Sequence, residues 1–374
     1  MTSDRNPSRR AFVGGLLASA VGSSLPLRLS AAESPSIKTL AAEKGLLFGS
    51  CVGAVKNGSF ADPRYIDILK KDCSVLVPEN ELKSYTISPE RGQYNFEPGD
   101  RIASFAKING MKLRGHTLLW NRPEFMPKWL RESFGTLSAK EAEAYLREYV
   151  QRVCTHYGDQ IHSWDVVNET VDPKSGQVRD TPFTRVLGFD ALRIVYEAAR
   201  EYAPQAQLVY NDYMAWEAGP AETHRAGVLR LLERFRSSKV PVDALGIQSH
   251  LGNDGNIHAI QRKEWKAFVD AAVGMGYRLL ITEFDVNDKD LPADIQTRDT
   301  EVAAVTREYL DFMLSYRQLD QVLCWGMVDS FSWLQNYSPR ADKQPQRPNP
   351  YDKSYRPKPM REAIAAAFAA APRR

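Results

Sequence analysis

The sequence predicts one α/β domain, a (β/α)8 TIM barrel, over residues 33–374. Short apolar segments alternate with helix-period segments along this whole range, eight times in all. No G-x-G-x-x-G motif opens a helix, which removes the commonest signature of a doubly wound sheet, the alternative architecture. Polar side chains collect at the ends of the apolar segments, which is typical of a barrel with a site at that face.

The predicted elements follow from the spacing of apolar residues. We predict strands at 45–50, 74–80, 111–116, 161–169, 207–212, 244–250, 278–285 and 321–326. Between them, the segments 138–158, 189–203 and 297–317 carry apolar residues at three- and four-residue steps and are predicted helices. The first of these helices opens with a capping box, Ser138 to Glu141, and closes at Gly158.

Almost every predicted strand stays apolar until its last residues, where a side chain able to do chemistry appears. These residues are Glu79, Asn80, His116, Asn168, Glu169, Asn211, Asp212, Gln248, His250, Glu283, Asp285 and Trp325. In a closed barrel such strand ends converge on one face, so residues far apart in the sequence would line a single cleft. A barrel with a purely structural role would not need polar groups at all of these ends.

The N-terminus resembles an export signal rather than part of the domain. Arg9 and Arg10 precede the short apolar stretch 12–17, which is rich in small residues, as in twin-arginine signals. That stretch is too short to span a bilayer, so we expect no stable membrane anchor. Small residues near Ala32 suggest cleavage there, so we expect residues 1–32 to be removed and the mature protein to be periplasmic or secreted.

Charge and cysteine content narrow the function classes. The formal net charge of +3 is small for 374 residues, and no basic run interleaves with aromatics, so we expect no nucleic-acid partner. Cys51, Cys73, Cys154 and Cys324 are widely spaced with no C-x-x-C pair, which favours buried free thiols over a zinc site. We therefore expect no metal and no cofactor. No linker or second domain is apparent, and we expect a monomer.

Glu169 and Glu283 each follow an apolar strand directly and each has a polar companion. Taken singly, either glutamate could be a strand-end ion-pair partner. Together at one barrel mouth, they are what glycosidic bond hydrolysis requires, because one carboxyl donates a proton to the leaving oxygen and the other attacks the anomeric carbon. Two like charges held close together cannot easily both ionise, which helps to divide these roles.

The groups around the two glutamates fit this chemistry. His250 could hydrogen-bond Glu283 and keep it charged, with Asp285 holding the imidazole, although a lone histidine is as often a satisfied buried group. Asn168 could donate to a sugar hydroxyl beside the reacting carbon. Further along, Trp120, Trp325 and Trp333 lie at or beyond strand ends and, with Tyr213, could form a groove that stacks on sugar rings.

Seven segments then resemble one family. In order, "PENELKS", "RGHTLLW", "WDVVNE", "NDY", "GIQSHL", "ITEFDV" and "CWGMVDSFSWL" resemble the strand-end motifs of glycoside hydrolase family 10 endo-β-1,4-xylanases. The resemblance runs from about residue 40 to residue 364. It implies a retaining (β/α)8 hydrolase that cuts β-1,4-xylan internally and therefore binds xylan or xylo-oligosaccharides.

The resemblance also implies individual roles. Glu169 in "WDVVNE" would be the acid/base and Glu283 in "ITEFDV" the nucleophile, with Asn168 on the sugar 2-hydroxyl. His250 and Asp285 would support the nucleophile. The donor-side xylose next but one to the cleaved bond would be held by Glu79, Asn80 and Lys83. The remaining substrate-binding residues would be His116, Trp120, Tyr213, Gln248, Trp325 and Trp333.

The sequence departs from the family pattern at several positions. Ser84 replaces a common Trp, Asn121 a frequent His, Arg122-Pro123 the usual Ser-Gln pair, and Met214 a common Asn. We expect these changes to touch the groove walls and not the two glutamates. The proline-rich segment 338–359 is also unusual, and it is interpreted as a loop over the donor end of the cleft in preference to a mobile surface segment.

Three other functions stay open. The first is a retaining β-1,4-glycanase of cellulase type, since xylose differs from glucose only by the missing hydroxymethyl arm. The second is a metal-dependent barrel hydrolase, which would need clustered histidine and carboxylate ligands that the six histidines do not suggest. The third is a sugar-binding barrel without catalysis, which the presence of both glutamates disfavours.

Overall fold

The computed structural model describes residues 35–55, 58–133, 135–218, 221–253 and 256–374. The predicted export signal, residues 1–32, lies outside the described residues. The strands are β1 Leu47–Val52, β2 Val75–Pro78, β3 Lys112–Trp120, β4 Ile161–Asn168, β5 Gln207–Asp212, β6 Ala244–Ile247, β7 His250–Leu251, β8 Arg278–Val286 and β9 Leu319–Cys324. Every predicted strand is found within a few residues of its expected bounds.

The strands pair in parallel and the sheet closes on itself. Its order is β6-β5-β4-β3-β2-β1-β9-β8, and β8 pairs again with β6. The short strand β7 adds to the upper part of β8. Eight strands therefore form a closed barrel, and the predicted (β/α)8 fold is confirmed.

Helices cover the outside of the barrel. They are α1 Ile37–Ala42, α2 Pro63–Asp72, α3 Ser84–Ile87, α4 Glu97–Ile108, α5 Lys128–Glu132, α6 Ala139–Tyr157, α7 Pro182–Leu187, α8 Asp190–Tyr202, α9 Ala221–Ser237, α10 Arg262–Gly274, α11 Ile295–Leu314, α12 Leu334–Tyr337 and α13 Pro359–Ala370. Short 3-10 turns lie at Ser59–Ala61, Pro123–Phe125, Gly158–Gln160 and Asp329–Phe331. Among the described helices, none combines the length and the apolar character that crossing a bilayer requires.

Helix α6 illustrates how the local sequence sets these elements. Ser138 and Glu141 form both hydrogen bonds of the predicted capping box, which satisfies backbone N–H groups that the first turn leaves free. Leu146, Val150 and Val153 then bury one face of the helix. Full burial of an apolar side chain of this size stabilises the fold by about 1.5–3 kcal/mol.

The core has two layers that end where the site begins. A large apolar cluster fills the space between barrel and helices. Two smaller clusters lie among the strands, one reaching up to Trp325 and the other formed by Val209, Ala244 and Leu280. The four cysteines are buried and free, as predicted. Because apolar packing occupies the lower barrel, the polar strand ends are left to face the upper opening.

Two irregularities aim side chains at that opening. The predicted strand 244–250 is interrupted at Ser249, whose φ of 63° lies in the left-handed region, and the chain resumes at His250. Pairing of β7 with β8 then places His250 directly beside Asp285. The register between β8 and β9 shifts around Glu283, a form of irregularity that redirects side chains next to active sites.

The segment 338–359, interpreted as a loop over the donor end of the cleft, is tied to the rest of the barrel by ion pairs, and none of its residues lines the cleft. Lys358 donates to Asp329 at 3.0 and 3.2 Å, and Arg347 forms two 2.7 Å hydrogen bonds with Asp299. Burial raises the pKa of Asp329 to about 6, against the opposing effect of Lys358. Near the start of the segment, Ser338 accepts a hydrogen bond from Asn287, beyond the end of β8.

Candidate active site

Side chains from most of the barrel strand ends line one cleft with a volume of about 480 Å³. Of the residues predicted for the site, those that line it are Glu79, Asn80, Lys83, His116, Trp120, Glu169, Tyr213, Gln248, His250, Glu283, Trp325 and Trp333. The other two, Asn168 and Asp285, lie just behind the cleft surface and hydrogen-bond residues that line it. The fold therefore brings the whole predicted set together.

Glu283 is held at the base of the cleft by hydrogen-bond donors. Its Oε1 accepts from Asn211 Nδ2 at 2.8 Å, and its Oε2 lies 3.3 Å from His250 Nε2. Burial raises the pKa of Glu283, but the His250 hydrogen bond and the positive charges of His116, His250 and Lys83 outweigh it and bring the pKa to about 2. Glu283 is therefore an ionised carboxylate at any ordinary working pH.

His250 connects Glu283 to a second buried carboxylate. Its Nδ1 lies 2.8 Å from Asp285 Oδ1, and the other oxygen of Asp285 accepts from Trp333 Nε1 at 2.8 Å. Burial lowers the pKa of His250, but its interactions with Asp285 and Glu283 are stronger and raise the pKa to about 10. The imidazolium thus stays charged between two carboxylates and orients Glu283.

Glu169 lines the same cleft in a different setting. Its Oε1 accepts from Gln248 Nε2 at 2.9 Å and Asn168 Nδ2 at 3.2 Å, and its Oε2 accepts from Arg122 Nη1 at 2.9 Å. Its φ of 53° is in the left-handed region, an uncommon conformation for a residue other than glycine. Arg179 Nε donates to the Glu169 carbonyl at 2.9 Å and supports this backbone turn.

Two amide side chains link the carboxylates across the cleft. Asn211 Nδ2 donates both to Glu283 Oε1 at 2.8 Å and to Asn168 Oδ1 at 2.9 Å, while Asn168 donates to Glu169. Thr282 fixes Asn211 by donating to its Oδ1 at 2.7 Å. Asn211 had a strand-end position but no predicted role, and the structure identifies it as the bridge between the two glutamates.

The buried ion pair between Arg114 and Asp165 fixes the imidazole of His116. The His116 Nδ1 lies 2.9 Å from Asp165 Oδ2 and 3.9 Å from Glu283 Oε1. The neighbouring Gly115 leaves room for the Trp164 ring, because a Cβ there would lie 2.0 Å from it. Asp165 lies within the quoted "WDVVNE" motif, on the strand that ends directly before Glu169, and this was the available signal for its importance.

The part of the cleft around Lys83 combines charge with aromatic surfaces. Lys83 Nζ lies 4.5 Å from the Trp120 ring centroid and 5.8 Å from that of Trp325, in cation–π geometry. Burial lowers the pKa of Lys83 against the opposing charges of Glu283, Glu79 and Glu169. Asn80 Oδ1 accepts from Lys83 at 3.3 Å and from the Tyr85 hydroxyl at 2.8 Å. The result is a flat, polar-edged surface suited to a sugar ring.

The expectation that the departures touch only the groove walls is wrong in two ways. Arg122 reaches Glu169 itself, because an arginine is long enough to extend from the wall into the cleft. Asn121 and Met214 are buried behind the wall, and Asn121 hydrogen-bonds Thr170 and Thr181 there. Residues of the cleft lining that were not predicted are Arg122, Phe125, Pro173, Asn253 and Tyr337.

Comparison with known proteins agrees with this geometry. The model of the family described as glycosyl hydrolase family 10 matches residues 36–367. Endo-1,4-β-xylanase A of Caldicellulosiruptor saccharolyticus is 34% identical over 310 residues, which are 78% of this chain and 86% of that protein. Xylanase 10B from Thermotoga maritima superposes with a TM-score of 0.80 at 26% identity, covering 89% of this chain and 98% of that one. Xylanase 10B from Thermotoga petrophila, solved in complex with xylobiose, gives 0.78 at 26% identity, with 89% and 97% covered.

Proposed function

The chain belongs to glycosyl hydrolase family 10, and from this premise we propose that it cuts xylan internally by double displacement, with Glu283 as nucleophile and Glu169 as acid/base. The coarser assignment, a glycoside hydrolase of the retaining endo-1,4-β-xylanase type, follows from family membership and the xylanase relatives. The roles of the two glutamates are argued below from their contacts.

The observation that carries the proposal is the unequal surroundings of two carboxylates in one cleft. Glu283 contacts a charged histidine and has a pKa of about 2, so it is available as a nucleophile. Glu169 faces the same cleft and is linked to Glu283 through Asn168 and Asn211. A carboxylate fixed as an anion beside a second carboxyl group in the same cleft is the pairing that retaining hydrolysis needs.

In the first half of the reaction, an oxygen of Glu283 attacks the anomeric carbon of the donor-side xylose. The bond from that carbon to the leaving oxygen breaks, and Glu169 gives its proton to that oxygen. The product is a glycosyl ester on Glu283 and a free acceptor chain. Asn168 lies between the glutamates, just behind the cleft surface, and we assign its amide to the 2-hydroxyl of the reacting sugar.

In the second half, water attacks the same carbon from the side that the leaving group vacated. Glu169, now a carboxylate, takes a proton from the water, the ester bond breaks, and Glu283 leaves as a carboxylate. Both glutamates return to their starting states with one water consumed. Two successive inversions retain the β configuration of the product.

Substrate choice rests on the donor surface. Lys83, Trp325 and Trp333 all line the cleft. We assign them to the reacting sugar, where glucose carries a hydroxymethyl arm and xylose carries hydrogen. Trp333 is anchored by its hydrogen bond to Asp285, so it is poorly placed to move aside for that arm. This anchoring favours xylan over cellulose. Xylobiose bound to a structural relative supports the same choice.

A trapping experiment tests the catalytic assignment. A 2-fluoro-xylobioside with an activated leaving group should inactivate the enzyme by accumulating the ester, and mass spectrometry of peptides should place the label on Glu283. A label on another carboxylate contradicts the nucleophile assignment. Parallel assays on xylan and carboxymethyl-cellulose test the substrate, and faster cleavage of the cellulose derivative would overturn the preference for xylan.

We also propose that the protein is exported folded by the twin-arginine route and acts as a monomer. The support is the Arg9-Arg10 pair before a short apolar stretch. Replacing both arginines with lysine should retain the enzyme in the cytoplasm, as measured by xylanase activity in cell fractions, and export of the variant would contradict the route. Light scattering of the purified protein gives the oligomeric state, and a dimer mass would contradict the monomer.

A further inference from the structure

Arg122 is a cationic neighbour of Glu169 that the family pattern does not provide. Its Nη1 donates to Glu169 at 2.9 Å, while its Nε and Nη2 donate to Glu124 Oε1 at 2.9 and 2.5 Å. The guanidinium carbon lies 4.9 Å from the Phe125 ring centroid, and that ring stacks on Trp120 at 3.8 Å. Arg122 is thus braced on two sides, with its side chain 26% exposed.

Within the described residues, every group that hydrogen-bonds the Glu169 carboxyl is an N–H donor, and none is an acceptor. Gln248 and Asn168 donate amide N–H groups to Oε1, and Arg122 donates to Oε2. A protonated carboxyl would have to direct its own O–H toward an acceptor, whereas a carboxylate accepts at every site. These contacts fit the ionised form of Glu169, and the charge-assisted bond from Arg122 is the strongest of them.

We propose that Arg122 is a positioning residue that holds Glu169 as a carboxylate facing the cleft and thereby assists the second half of the reaction. The inference rests on the proposed function, in which Glu169 removes a proton from water at that stage. Water loses a proton to Glu169, its oxygen bonds to the anomeric carbon, and the ester bond to Glu283 breaks. In the first half, the same contact opposes proton donation, so Arg122 favours the second half over the first.

Glu124 explains how the contact can be released in each turnover. Glu124, which is 51% exposed, accepts hydrogen bonds from Nε and Nη2 of Arg122. Those two bonds can persist when Nη1 of Arg122 leaves Glu169. The guanidinium then stays on the Phe125 face while Glu169 takes up its proton. Arg179, the other arginine at Glu169, binds only its backbone carbonyl and so plays no part in this exchange.

The test separates the two half-reactions with two substrates. With dinitrophenyl xylobioside the first half needs little proton donation, so kcat reports the second half; with xylotetraose, kcat/KM reports the first. Arg122→Gln should lower kcat on the dinitrophenyl substrate about tenfold and leave kcat/KM on xylotetraose within about threefold. Arg122→Lys, which keeps the charge, should show a smaller loss. Arg236→Gln, an exposed arginine on α9 that does not line the cleft, should match the wild type.

Recovery of activity on adding azide distinguishes this role of Arg122 from a merely structural one. Azide is an anion that attacks the glycosyl ester without losing a proton, so it bypasses the base. Adding it to Arg122→Gln should restore kcat on the dinitrophenyl substrate and yield β-xylobiosyl azide. It should have little effect on the wild type, where Glu169 already activates water.

Equal losses on both substrates, or no response to azide, would overturn the role of Arg122. If Arg122→Gln does not fold, as judged by its melting curve, Arg122→Lys decides: a partial, azide-responsive loss supports the proposal, and wild-type behaviour overturns it. Failure of the proposed function is recognised separately, because the wild type itself would then hydrolyse neither substrate, and the inference would fall with it.

Discussion

Glu169 and Glu283 face the same cleft, but the groups that bind them differ. Glu283 is bound by an amide and by a histidine whose pKa is raised to about 10, with a further carboxylate behind that histidine. Glu169 is bound by two amides and by Arg122. Glu283 is fixed by a buried charge network, and Glu169 by two buried amides and one partly exposed arginine.

The difference shows how one barrel gives two chemically similar residues different tasks. Short strand irregularities, at Ser249 and around Glu283, place the buried network. The side of Glu169 depends instead on the segment after β3, which carries Arg122 and Glu124. Changes to the strand ends should therefore abolish the reaction, whereas changes to that segment should alter the balance of its steps.

The largest effect is expected for Glu283→Ala. Without the nucleophile no ester can form, so kcat should fall by at least about 10⁴-fold on both xylan and aryl xylobiosides. Initial rates on the two substrates measure this loss. Glu132→Ala, an exposed glutamate outside the cleft, serves as the control and should retain full activity. Substantial residual turnover in Glu283→Ala would remove the basis of the comparison.

Glu169→Ala should give a loss that depends on the leaving group. Xylan needs its leaving oxygen protonated, so kcat/KM should fall by about 10²–10⁴-fold, whereas a dinitrophenyl leaving group should reduce that loss to less than about tenfold. A series of aryl xylobiosides with leaving groups of increasing pKa measures the slope. A slope no steeper than that of the wild type would contradict the acid role.

His250→Asn should lower kcat/KM at pH 6 by about a hundredfold, because it removes a charged hydrogen-bond donor from the nucleophile. Loss of that hydrogen bond and charge should raise the pKa of Glu283 above its present value of about 2. Because protonated Glu283 cannot attack, the acid limb of the kcat/KM profile should move to higher pH. His258→Asn, an exposed loop histidine, should leave the limb in place.

The smallest effect concerns stability. The pKa of His250 is raised from 6.5 to about 10, so its contribution to the free energy of unfolding is present in full below pH 6.5 and is lost as the pH rises toward 10. The melting temperature of His250→Asn should therefore lie further below that of the wild type at pH 6 than at pH 9. Calorimetry at both values measures the gap, and a gap independent of pH would contradict the charged pair.

Much of the barrel and its catalytic face could be predicted from the sequence. Parallel strands must bury both faces, so their apolar runs are visible, and the polar residues that end them must lie at one opening. This logic placed Glu169, Glu283, His250 and Asp285 in one cleft. It requires no knowledge of side-chain conformation.

The parts that sequence reasoning missed depend on conformation beyond the strands. Arg122 stands outside a strand, and its long side chain could have pointed to solvent; only the fold of its segment directs it to Glu169. The interruption at Ser249 depends on a left-handed φ in a serine, which no residue preference announces. Asn121 looked like part of the groove because of its place in a motif, but its neighbours bury it.

The loop between Ser338 and Lys358 has a consequence for anyone who exchanges parts among such barrels. Its Arg347 and Lys358 form ion pairs with two aspartates of the rest of the barrel, Asp299 on α11 and Asp329 after β9. A shorter graft would leave both aspartates without these counter-ions. For the buried Asp329, breaking such a pair costs about 3–5 kcal/mol of stability. The loop and its two partner aspartates therefore form a single module that must be transplanted or deleted together.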